Sequence, residues 1–205
     1  MSAAGGERKA YDRAYFDRWY RSPRHRVRSP AEVARLVAFV LATADHLLGR
    51  PARTVLDVGA GEGNWQPVLR RLRPAIAYTG VDRSEYAVRR FGKRRHLLLG
   101  DATALDALPL RGEYDLVIAS GVLNYLTRPE LRAALGQLAA RAGGMLYLEL
   151  FTAADDLKGD TRFAARASAD WLRRELRRAG LVGGGLHCYV RREEQWRLAE
   201  MERTV

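Results

Sequence analysis

Residues 54–65 read Thr54-Val55-Leu56-Asp57-Val58-Gly59-Ala60-Gly61-Glu62-Gly63-Asn64-Trp65. The first five residues are mostly β-branched or apolar, which is typical of a buried strand. The three glycines that follow at alternate positions predict a sharp turn, because glycine tolerates backbone angles that other residues avoid. A ligand can lie directly against such a turn, since no Cβ atoms stand in its way. The pattern therefore predicts a nucleotide-binding loop between a strand and a helix, a signal that many folds share.

On both sides of this loop, short apolar runs alternate with amphipathic helices. The predicted strands are Thr54–Val58, Ile76–Val81, His96–Leu99, Tyr114–Ala119 and Met145–Phe151. The predicted helices between them are Trp65–Leu72, Glu85–Phe91 and Arg128–Ala142. This alternation predicts an α/β fold with a doubly wound, mostly parallel sheet. After a last helix at Ala169–Ala179, two further runs predict an antiparallel C-terminal hairpin at the sheet edge, with strands Leu186–Arg191 and Gln195–Glu202.

Capping boxes mark the starts of two of the predicted helices. Ser29-Pro30-Ala31-Glu32 begins a helix that precedes the first strand and ends at Gly49, and Thr127-Arg128-Pro129-Glu130 begins the helix at Arg128. In each box a side-chain oxygen at the first position and a glutamate three residues later satisfy backbone N–H groups that the helix itself leaves free. Proline at or next to the first helical position strengthens both predictions.

Two carboxylates restrict the kind of ligand that the glycine turn can hold. Asp57 comes two residues before the first glycine, and Asp82 follows the second predicted strand, where it can accept hydrogen bonds from a ribose diol. A dinucleotide would set its pyrophosphate over the turn, where Asp57 would repel it. S-adenosylmethionine brings an ammonium and a sulfonium instead. The turn and Asp57 together therefore favour this cationic nucleoside over a nicotinamide dinucleotide.

These motifs resemble those of the class I S-adenosylmethionine-dependent methyltransferases, over about residues 30–205. The resemblance implies S-adenosylmethionine as the cofactor and a Rossmann-like, seven-stranded sheet whose last strand is antiparallel. It implies that the glycine loop holds the methionine part of the cofactor, that Asp82 holds the ribose, and that Gly100-Asp101-Ala102 recognises the adenine. The run Tyr114–Leu126 matches the strand and loop that face the methyl group. The cofactor-binding residues expected on this basis are Asp57, Gly59, Ala60, Gly61, Gly63, Asp82, Arg83, Asp101, Ala102 and Ser120.

The resemblance supplies no catalytic base. Many relatives carry histidine where this chain has Asn124, so the catalytic residue stays unassigned. Asn124 and Tyr125 are expected beside the transferred methyl group, and residues 152–167 are expected to form a loop that binds the acceptor. We predict methyl transfer to a nucleophilic oxygen or nitrogen of a small molecule. An RNA acceptor and a cofactor-binding module without catalytic activity are the alternatives.

Residues 1–28 precede the predicted methyltransferase domain, residues 29–205, and are rich in aromatic and basic side chains. Aromatic residues recur there at helical spacing, which predicts an N-terminal helical extension. This helix can simply pack on the domain, or it can form a lid whose rings face the sulfonium, because the face of an aromatic ring attracts a cation. The candidates for the substrate pocket are therefore Tyr11, Tyr15, Trp19, Asn124 and Tyr125.

The composition limits the partners and the compartment. The 205 residues include 35 basic and 24 acidic side chains, for a net charge of +11. Arginine supplies 32 of the basic residues, a bias typical of G+C-rich codons, so the charge permits a nucleic-acid partner without favouring one. A single cysteine argues against a disulfide framework, and the chain shows no signal peptide, no membrane-spanning run and no metal-binding spacing of histidines. We therefore expect a cytoplasmic protein without a bound metal or a membrane contact.

Overall fold

A computed structural model describes residues 9–161 and 167–198 of the chain. Its strands are β1 (Thr54–Val58), β2 (Ala77–Asp82), β3 (Leu97–Leu99), β4 (Tyr114–Ala119), β5 (Ala142–Leu148), β6 (Leu181–Gly185) and β7 (Cys188–Arg191). Its α-helices are α1 (Arg13–Phe16), α2 (Pro30–Leu48), α3 (Trp65–Leu72), α4 (Glu85–Arg95), α5 (Arg128–Ala140) and α6 (Ala169–Arg178). A π-helical turn covers Asp17–Arg21, and 3₁₀ turns cover Leu105–Ala107, Leu123–Tyr125 and Arg192–Glu194.

The seven strands form one sheet in the order β3-β2-β1-β4-β5-β7-β6. Neighbours from β3 to β5 are parallel, and β7 is antiparallel to both β5 and β6. This topology confirms the predicted doubly wound, mostly parallel sheet with an antiparallel C-terminal hairpin. The direction of winding reverses between β1 and β4, and a crevice at the carboxyl ends of strands at such a point is where open α/β sheets bind their ligands.

Helices cover both faces of the sheet, and each layer encloses its own apolar core. Helices α2, α3 and α4 pack on one face through side chains that include Val40, Leu69 and Phe91. Helices α5 and α6 pack on the other through Leu135 and Trp171 among others. With both faces covered, the carboxyl edge of the parallel strands remains for a ligand. No helix among the described residues is long and apolar enough to cross a membrane.

Both predicted capping boxes are present. Ser29 Oγ accepts the N–H of Glu32 at 3.2 Å, and the Glu32 carboxylate accepts the N–H of Ser29 at 2.7 Å. Thr127 and Glu130 make the same reciprocal pair at the start of α5. Helix α2 ends, as predicted, at Gly49, whose φ of 64° few other residues adopt. These local signals were sufficient to place both helix starts.

Most predicted boundaries differ from the structure by two residues or fewer, and larger differences occur at the end of α4 and at both ends of β5, which ends at Leu148 instead of Phe151. Helix α4 continues past Phe91 to Arg95, since Gly92 is accommodated inside the helix, and it ends at His96 with a left-handed φ of 51°. Strand β5 begins at Ala142 instead of Met145. The glycine pair before Met145 belongs to the strand, because a Cβ at Gly144 would lie 2.3 Å from the carbonyl oxygen of Asp115 on β4. Glycine is required there by a close approach of two strands.

The C-terminal hairpin exists, and the predicted strand Leu186–Arg191 contains β7, but the second predicted strand, Gln195–Glu202, was wrong. The first strand is the glycine-rich β6, and the turn lies at Leu186 and His187, which have positive φ angles of 49° and 64°. Glycines weaken the strand signal, so the pattern shifted the prediction towards the C-terminus. Residues 196–198, predicted as part of a strand, are helical, and residues 199–202 lie outside the described part of the chain.

A carboxylate is buried in the central strand of the sheet. Asp57, on β1, is 2% exposed, and the hydroxyl of Tyr78 on β2 donates a hydrogen bond to its Oδ2 at 2.7 Å. Burial raises the pKa of Asp57 to about 7, and the hydrogen bond from Tyr78 opposes this only in part. In the unfolded chain the same group has an ordinary pKa, about 3.9. The folded protein therefore holds this proton more tightly than the unfolded chain does.

Replacing Asp57 with asparagine should make the protein more stable at pH 8 than the wild type, and the advantage should shrink as the pH falls to 5. Between the two pKa values the wild type loses stability with rising pH, by at most about 1.4 kcal/mol per pH unit, because only its folded state still binds the proton. Urea unfolding of both proteins between pH 5 and pH 8 measures the difference. Asp106→Asn, at an exposed position, is the control. A constant difference between Asp57→Asn and wild type across this range would contradict the prediction.

Candidate functional site

A cleft opens at the carboxyl ends of β1, β2 and β4, where the winding of the sheet reverses. It contains about 660 Å³ of space outside the protein atoms, including the part open to solvent. The lining residues are Tyr11, Tyr15, Phe16, Tyr20, Gly59, Gly61, Val81, Asp82, Arg83, Gly100, Asp101, Ala102, Ser120, Gly121, Val122, Tyr125 and Leu126.

The glycine loop has a shape that its own hydrogen bonds fix. Gly59, Gly61 and Gly63 all have positive φ, at 73°, 56° and 72°. The N–H groups of Gly59 and Ala60 both donate to the carbonyl oxygen of Val81, at 2.8 and 3.1 Å, and the N–H of Gly63 donates to the carbonyl oxygen of Ala60 at 2.8 Å. Three of the loop's backbone donors are therefore already satisfied within the protein.

The Asp82 carboxylate accepts a hydrogen bond from a fourth N–H group of the loop. Its Oδ2 accepts the N–H of Gly61 at 2.6 Å, and its Oδ1 accepts the N–H of Ser84 at 2.8 Å. The side chain lines the cleft although the residue is only 7% exposed, and burial raises its pKa. A diphosphate at a glycine loop needs free N–H donors and positive charge. Here the Asp82 carboxylate lies beside the loop, and the N–H groups of Gly59, Ala60, Gly61 and Gly63 donate to acceptors within the protein.

The predicted cofactor residues divide into two groups. Those that line the cleft are Gly59, Gly61, Asp82, Arg83, Asp101, Ala102 and Ser120. The remaining three, Asp57, Ala60 and Gly63, do not line it. Ala60 is buried, and Gly63 packs against the side chain of Leu97. Asp57 is bonded to Tyr78 beneath the loop, so it supports the glycine turn from inside the sheet.

Asp101 stands at the far end of the cleft from the glycine loop, in the turn after β3. Its Oδ1 accepts hydrogen bonds from the N–H and the hydroxyl of Thr103, at 3.0 and 2.9 Å. Its Oδ2 lies 4.0 Å from a guanidinium nitrogen of Arg83. These contacts orient the carboxylate and leave it partly exposed to the cleft, where it can accept a hydrogen bond from a ligand.

The N-terminal segment, residues 11–28, forms one wall of the cleft. Phe16 is buried and stacks on Tyr86 with ring centroids 5.7 Å apart, and the hydroxyl of Ser84 donates to the carbonyl oxygen of Tyr11 at 2.5 Å. Tyr20 lies against the glycine loop so closely that a Cβ on Gly61 would approach its hydroxyl to 2.5 Å. The segment therefore packs on the domain and also contributes rings to the cleft.

The structure brings Tyr20 into the cleft, while Trp19 lies outside the lining and packs edge-on against His25 at 6.4 Å. The reason is the π-helical turn, in which the N–H of Ser22 donates to the carbonyl oxygen of Asp17 five residues earlier. A regular α-helix would place Trp19 one turn after Tyr15 on the same face. The π-helical turn adds one residue, so Tyr20 takes the place on the cleft-facing side that α-helical spacing predicts for Trp19.

Two ion pairs attach the N-terminal segment to the sheet edge. Arg21 pairs with the buried Glu62 of the glycine loop. Arg28 pairs with Glu149, which directly follows β5, at 2.5 Å, and the Glu149 side chain is only 3% exposed. Glu149 also accepts hydrogen bonds from the hydroxyls of Ser120 and Tyr147, both at 2.9 Å. This buried network joins the ends of β4 and β5 to the segment that covers the cleft.

Sequence analysis did not identify Tyr20, Arg28 or Glu149. Glu149 carried a detectable signal, because a single acidic residue stands in the apolar run from Met145 to Phe151. A charge in such a position is costly unless it is paired, and it therefore points to a partner. Nothing in the local sequence indicates that Arg28 is that partner.

The loop after β4 places Asn124 and Tyr125 on different cavities. Tyr125 lines the main cleft, and Asn124 lines a smaller, mostly apolar cavity that includes Phe151 and Trp171. The Asn124 Oδ1 atom is buried and has no hydrogen-bond partner among the described residues. Leu126 lines both cavities, so the two adjoin. The apolar cavity with one unused acceptor atom is suited to an apolar molecule that carries an N–H or O–H group.

The tyrosines of the cleft are donors and not bases at neutral pH. Burial raises the pKa of Tyr11 to about 12, and it also raises the pKa values of Tyr15 and Tyr125. The lining contains no histidine, within the described part of the chain. The cleft therefore presents carboxylates and ring faces to a ligand, and its lining, within the described part of the chain, offers no imidazole as a base.

Solved structures with the same fold include several methyltransferases. Magnesium protoporphyrin IX methyltransferase from Synechocystis PCC 6803, solved with S-adenosylhomocysteine, aligns with a TM-score of 0.58 at 22% identity, over 83% of this chain and 86% of that one. The plantazolicin methyltransferase BamL aligns with a TM-score of 0.60 at 16% identity, over 75% and 65%. The [4+2]-cyclase SpnF aligns with a TM-score of 0.54 at 26% identity, over 74% of this chain and 57% of SpnF.

Comparison with curated proteins gave no significant match. The family model of the methyltransferase domain matches residues 24–200 of this chain. The match covers the whole sheet, the glycine loop and the carboxylates of the cleft, and it begins after the tyrosines of the N-terminal segment. The chain belongs to the methyltransferase domain family and has the fold of the class I S-adenosylmethionine-dependent methyltransferases.

Proposed function

We propose that the protein transfers a methyl group from S-adenosylmethionine to a nucleophilic oxygen or nitrogen of a small molecule. The observation that carries this proposal is the hydrogen bonding of the glycine loop. Four of its N–H groups, those of Gly59, Ala60, Gly61 and Gly63, donate within the protein, and the Asp82 carboxylate lines the cleft beside the loop. Such a surface disfavours a diphosphate and suits a cationic nucleoside.

The residues present fit this cofactor. Asp82 would hold the ribose hydroxyls, Asp101 and the N–H of Ala102 would recognise the adenine, and the glycine loop would contact the methionine part. The rings of Tyr15 and Tyr20 would face the positive charge. When bound, the cofactor supplies a methyl carbon that is already activated for displacement. The protein then has to align the nucleophile with that carbon and exclude water, which the N-terminal segment does by covering the cleft.

The smaller cavity beside Asn124 is our candidate for the acceptor site. Its apolar lining would bury an apolar part of the acceptor, and Asn124 Oδ1 would accept a hydrogen bond from an N–H or O–H group of that part, with the nucleophile itself in the main cleft. Phe151 and Ala167 belong to this lining; Phe151 precedes the loop that the sequence predicts for acceptor binding, and Ala167 is its last residue.

Methyl transfer from labelled S-adenosylmethionine into a fractionated cell extract tests the acceptor class. We expect label in the small-molecule fraction. Label in RNA would favour the alternative suggested by the exposed basic residues of α4, Arg89, Arg90, Lys93 and Arg94, and such binding should weaken steeply with salt. Absence of label from every fraction, with intact cofactor binding, would favour a module that binds the cofactor without catalysing methyl transfer.

Replacing Asp82 with alanine should weaken S-adenosylmethionine binding by about 1–3 kcal/mol, or roughly 5- to 150-fold, because charged hydrogen bonds to the ribose are lost. Isothermal titration calorimetry measures the effect, and thermal unfolding confirms that the variant is folded. Asp106→Ala changes the net charge equally outside the cleft and should leave the affinity unchanged. An unaltered dissociation constant for Asp82→Ala, or binding of a nicotinamide dinucleotide by the wild type, would refute the assignment.

Tyr20 and Trp19 provide a matched pair that tests the N-terminal segment as a lid. Tyr20→Ala should weaken S-adenosylmethionine binding by about 1–2 kcal/mol, or roughly 5- to 30-fold, because a ring beside the glycine loop is lost. Trp19→Ala should change the affinity by less than about twofold, since this side chain lies outside the cleft lining. Calorimetry on both variants separates the two positions. Equal effects would mean that the segment acts only through general packing.

A further inference from the structure

Three tyrosine rings at the edge of the cleft surround the ammonium group of Lys9. Lys9 Nζ lies 3.3 Å from the ring centroid of Tyr125, 4.9 Å from that of Tyr15 and 5.1 Å from that of Tyr11. It also lies 3.1 Å from Oδ2 of Asp160. We call the three rings and Asp160 the tyrosine cage. Its geometry is that of a site for a positively charged nitrogen, since ring faces attract cations within about 6 Å of their centroids.

The cage is well shielded and belongs to the same site as the cleft. The Lys9 side chain is only 9% exposed and that of Asp160 only 15%. All three rings line the cofactor cleft as well, so an occupant of the cage lies next to the cofactor's position. Tyr125 belongs to the loop after β4, whereas Tyr11 and Tyr15 precede residue 24, where the family match begins. Two of the three rings therefore come from outside the residues that the family model matches.

We propose that the tyrosine cage is the subsite for an amine acceptor, and that Lys9 occupies it until the acceptor's ammonium displaces it. This inference rests on the proposed function and names its acceptor class. Methylation of such an amine forms one N–C bond as the cofactor's S–C bond breaks, and the nitrogen releases one proton to water. The products are a methylated ammonium and a neutral thioether.

The carboxylate of Asp160 makes the cage more suitable for an ammonium than for the cofactor's sulfonium. An ammonium has N–H groups to donate to Asp160, as Lys9 does, and a sulfonium has none. The burial of Lys9 also matters for reactivity. Burial lowers the pKa of its amine, and the nearby Asp160 opposes this only in part. An amine in the same place is shifted in the same direction, towards the neutral form that carries a free lone pair.

The first experiment compares two probes that have the same skeleton and differ in charge. 2-(Dimethylamino)ethanol is protonated at neutral pH, and 3-methylbutan-1-ol has a C–H in place of the N–H. We expect Lys9→Gln to bind the amine at least about tenfold more tightly than the wild type and about tenfold more tightly than the alcohol, in titrations followed by NMR. Lys93→Gln, at an exposed position on α4, should behave as the wild type.

Substitutions of Tyr125 in the Lys9→Gln background test the ring itself. Tyr125→Phe keeps the ring face and should retain the amine affinity within about threefold, whereas Tyr125→Leu should lose at least about fivefold. Equal affinity for amine and alcohol, or equal affinity of the Phe and Leu variants, would overturn the proposal. A loss of S-adenosylmethionine affinity in Tyr125→Leu without loss of S-adenosylhomocysteine affinity would also overturn it, because the cage would then hold the sulfonium.

A second measurement keeps Lys9 in place, in case its replacement disturbs the N-terminal segment. The chain has three lysines, Lys9, Lys93 and Lys158, so reductive ¹³C-methylation gives few NMR signals to assign. The Lys9 signal should be shifted upfield by the rings, and the amine probe should return it towards the signals of the two exposed lysines. An unshifted Lys9 signal, or one that the probe does not move, would contradict the proposal. Calorimetry of S-adenosylmethionine with the wild type is done in parallel, since its failure would refute the proposed function instead.

Discussion

The carboxylate of Asp82 holds the cleft together by binding two backbone N–H groups from different elements. It fixes Gly61 of the loop after β1 and Ser84 at the start of α4, at 2.6 and 2.8 Å. With Gly61 fixed, and with Gly59 and Ala60 bonded to β2, the loop cannot offer these donors to a ligand. Beside this loop the cleft presents acceptors and ring faces, which favour a positively charged ligand, and Arg83 lies next to the carboxylate of Asp101. Hydrogen bonding within the protein thus decides the electrostatic character of the site.

The parts of this molecule that the sequence predicted well are those that depend on neighbouring residues. The glycine turn, the capping box at Ser29 and the alternation of strands and helices are local patterns, and the structure has them at the expected places. Errors arose where a local pattern was weak or irregular. The glycines of β6 concealed an edge strand, and the π-helical turn exchanged Trp19 for Tyr20 in the cleft lining. The pairing of Arg28 with Glu149 joins distant parts of the chain and could not be predicted from either residue alone.

Two buried carboxylates show that a similar position in the sequence can serve different purposes. Asp57 and Asp82 both lie at or near the end of a parallel strand beside the glycine loop. Asp82 accepts backbone N–H groups and faces the cleft, whereas Asp57 is covered by Tyr78 and its pKa is raised to about 7. A carboxylate that is partly protonated at neutral pH attracts a distant cation less than a charged one does. The contribution of Asp57 is therefore to the packing beneath the loop more than to the charge of the cleft.

A methyltransferase that acts on an amine must bring two groups together that are both cationic when free in solution. The cofactor's positive charge is permanent, so the amine is the partner that has to give up its charge before the N–C bond can form. The tyrosine cage can both hold the positively charged amine near the cofactor and favour the loss of its proton. Ring faces and Asp160 attract the ammonium, and the burial that lowers the pKa of Lys9 in this place favours the neutral amine more than water does. The amine can then lose its proton to water without a base from the protein, which agrees with a lining that contains no histidine in the described chain.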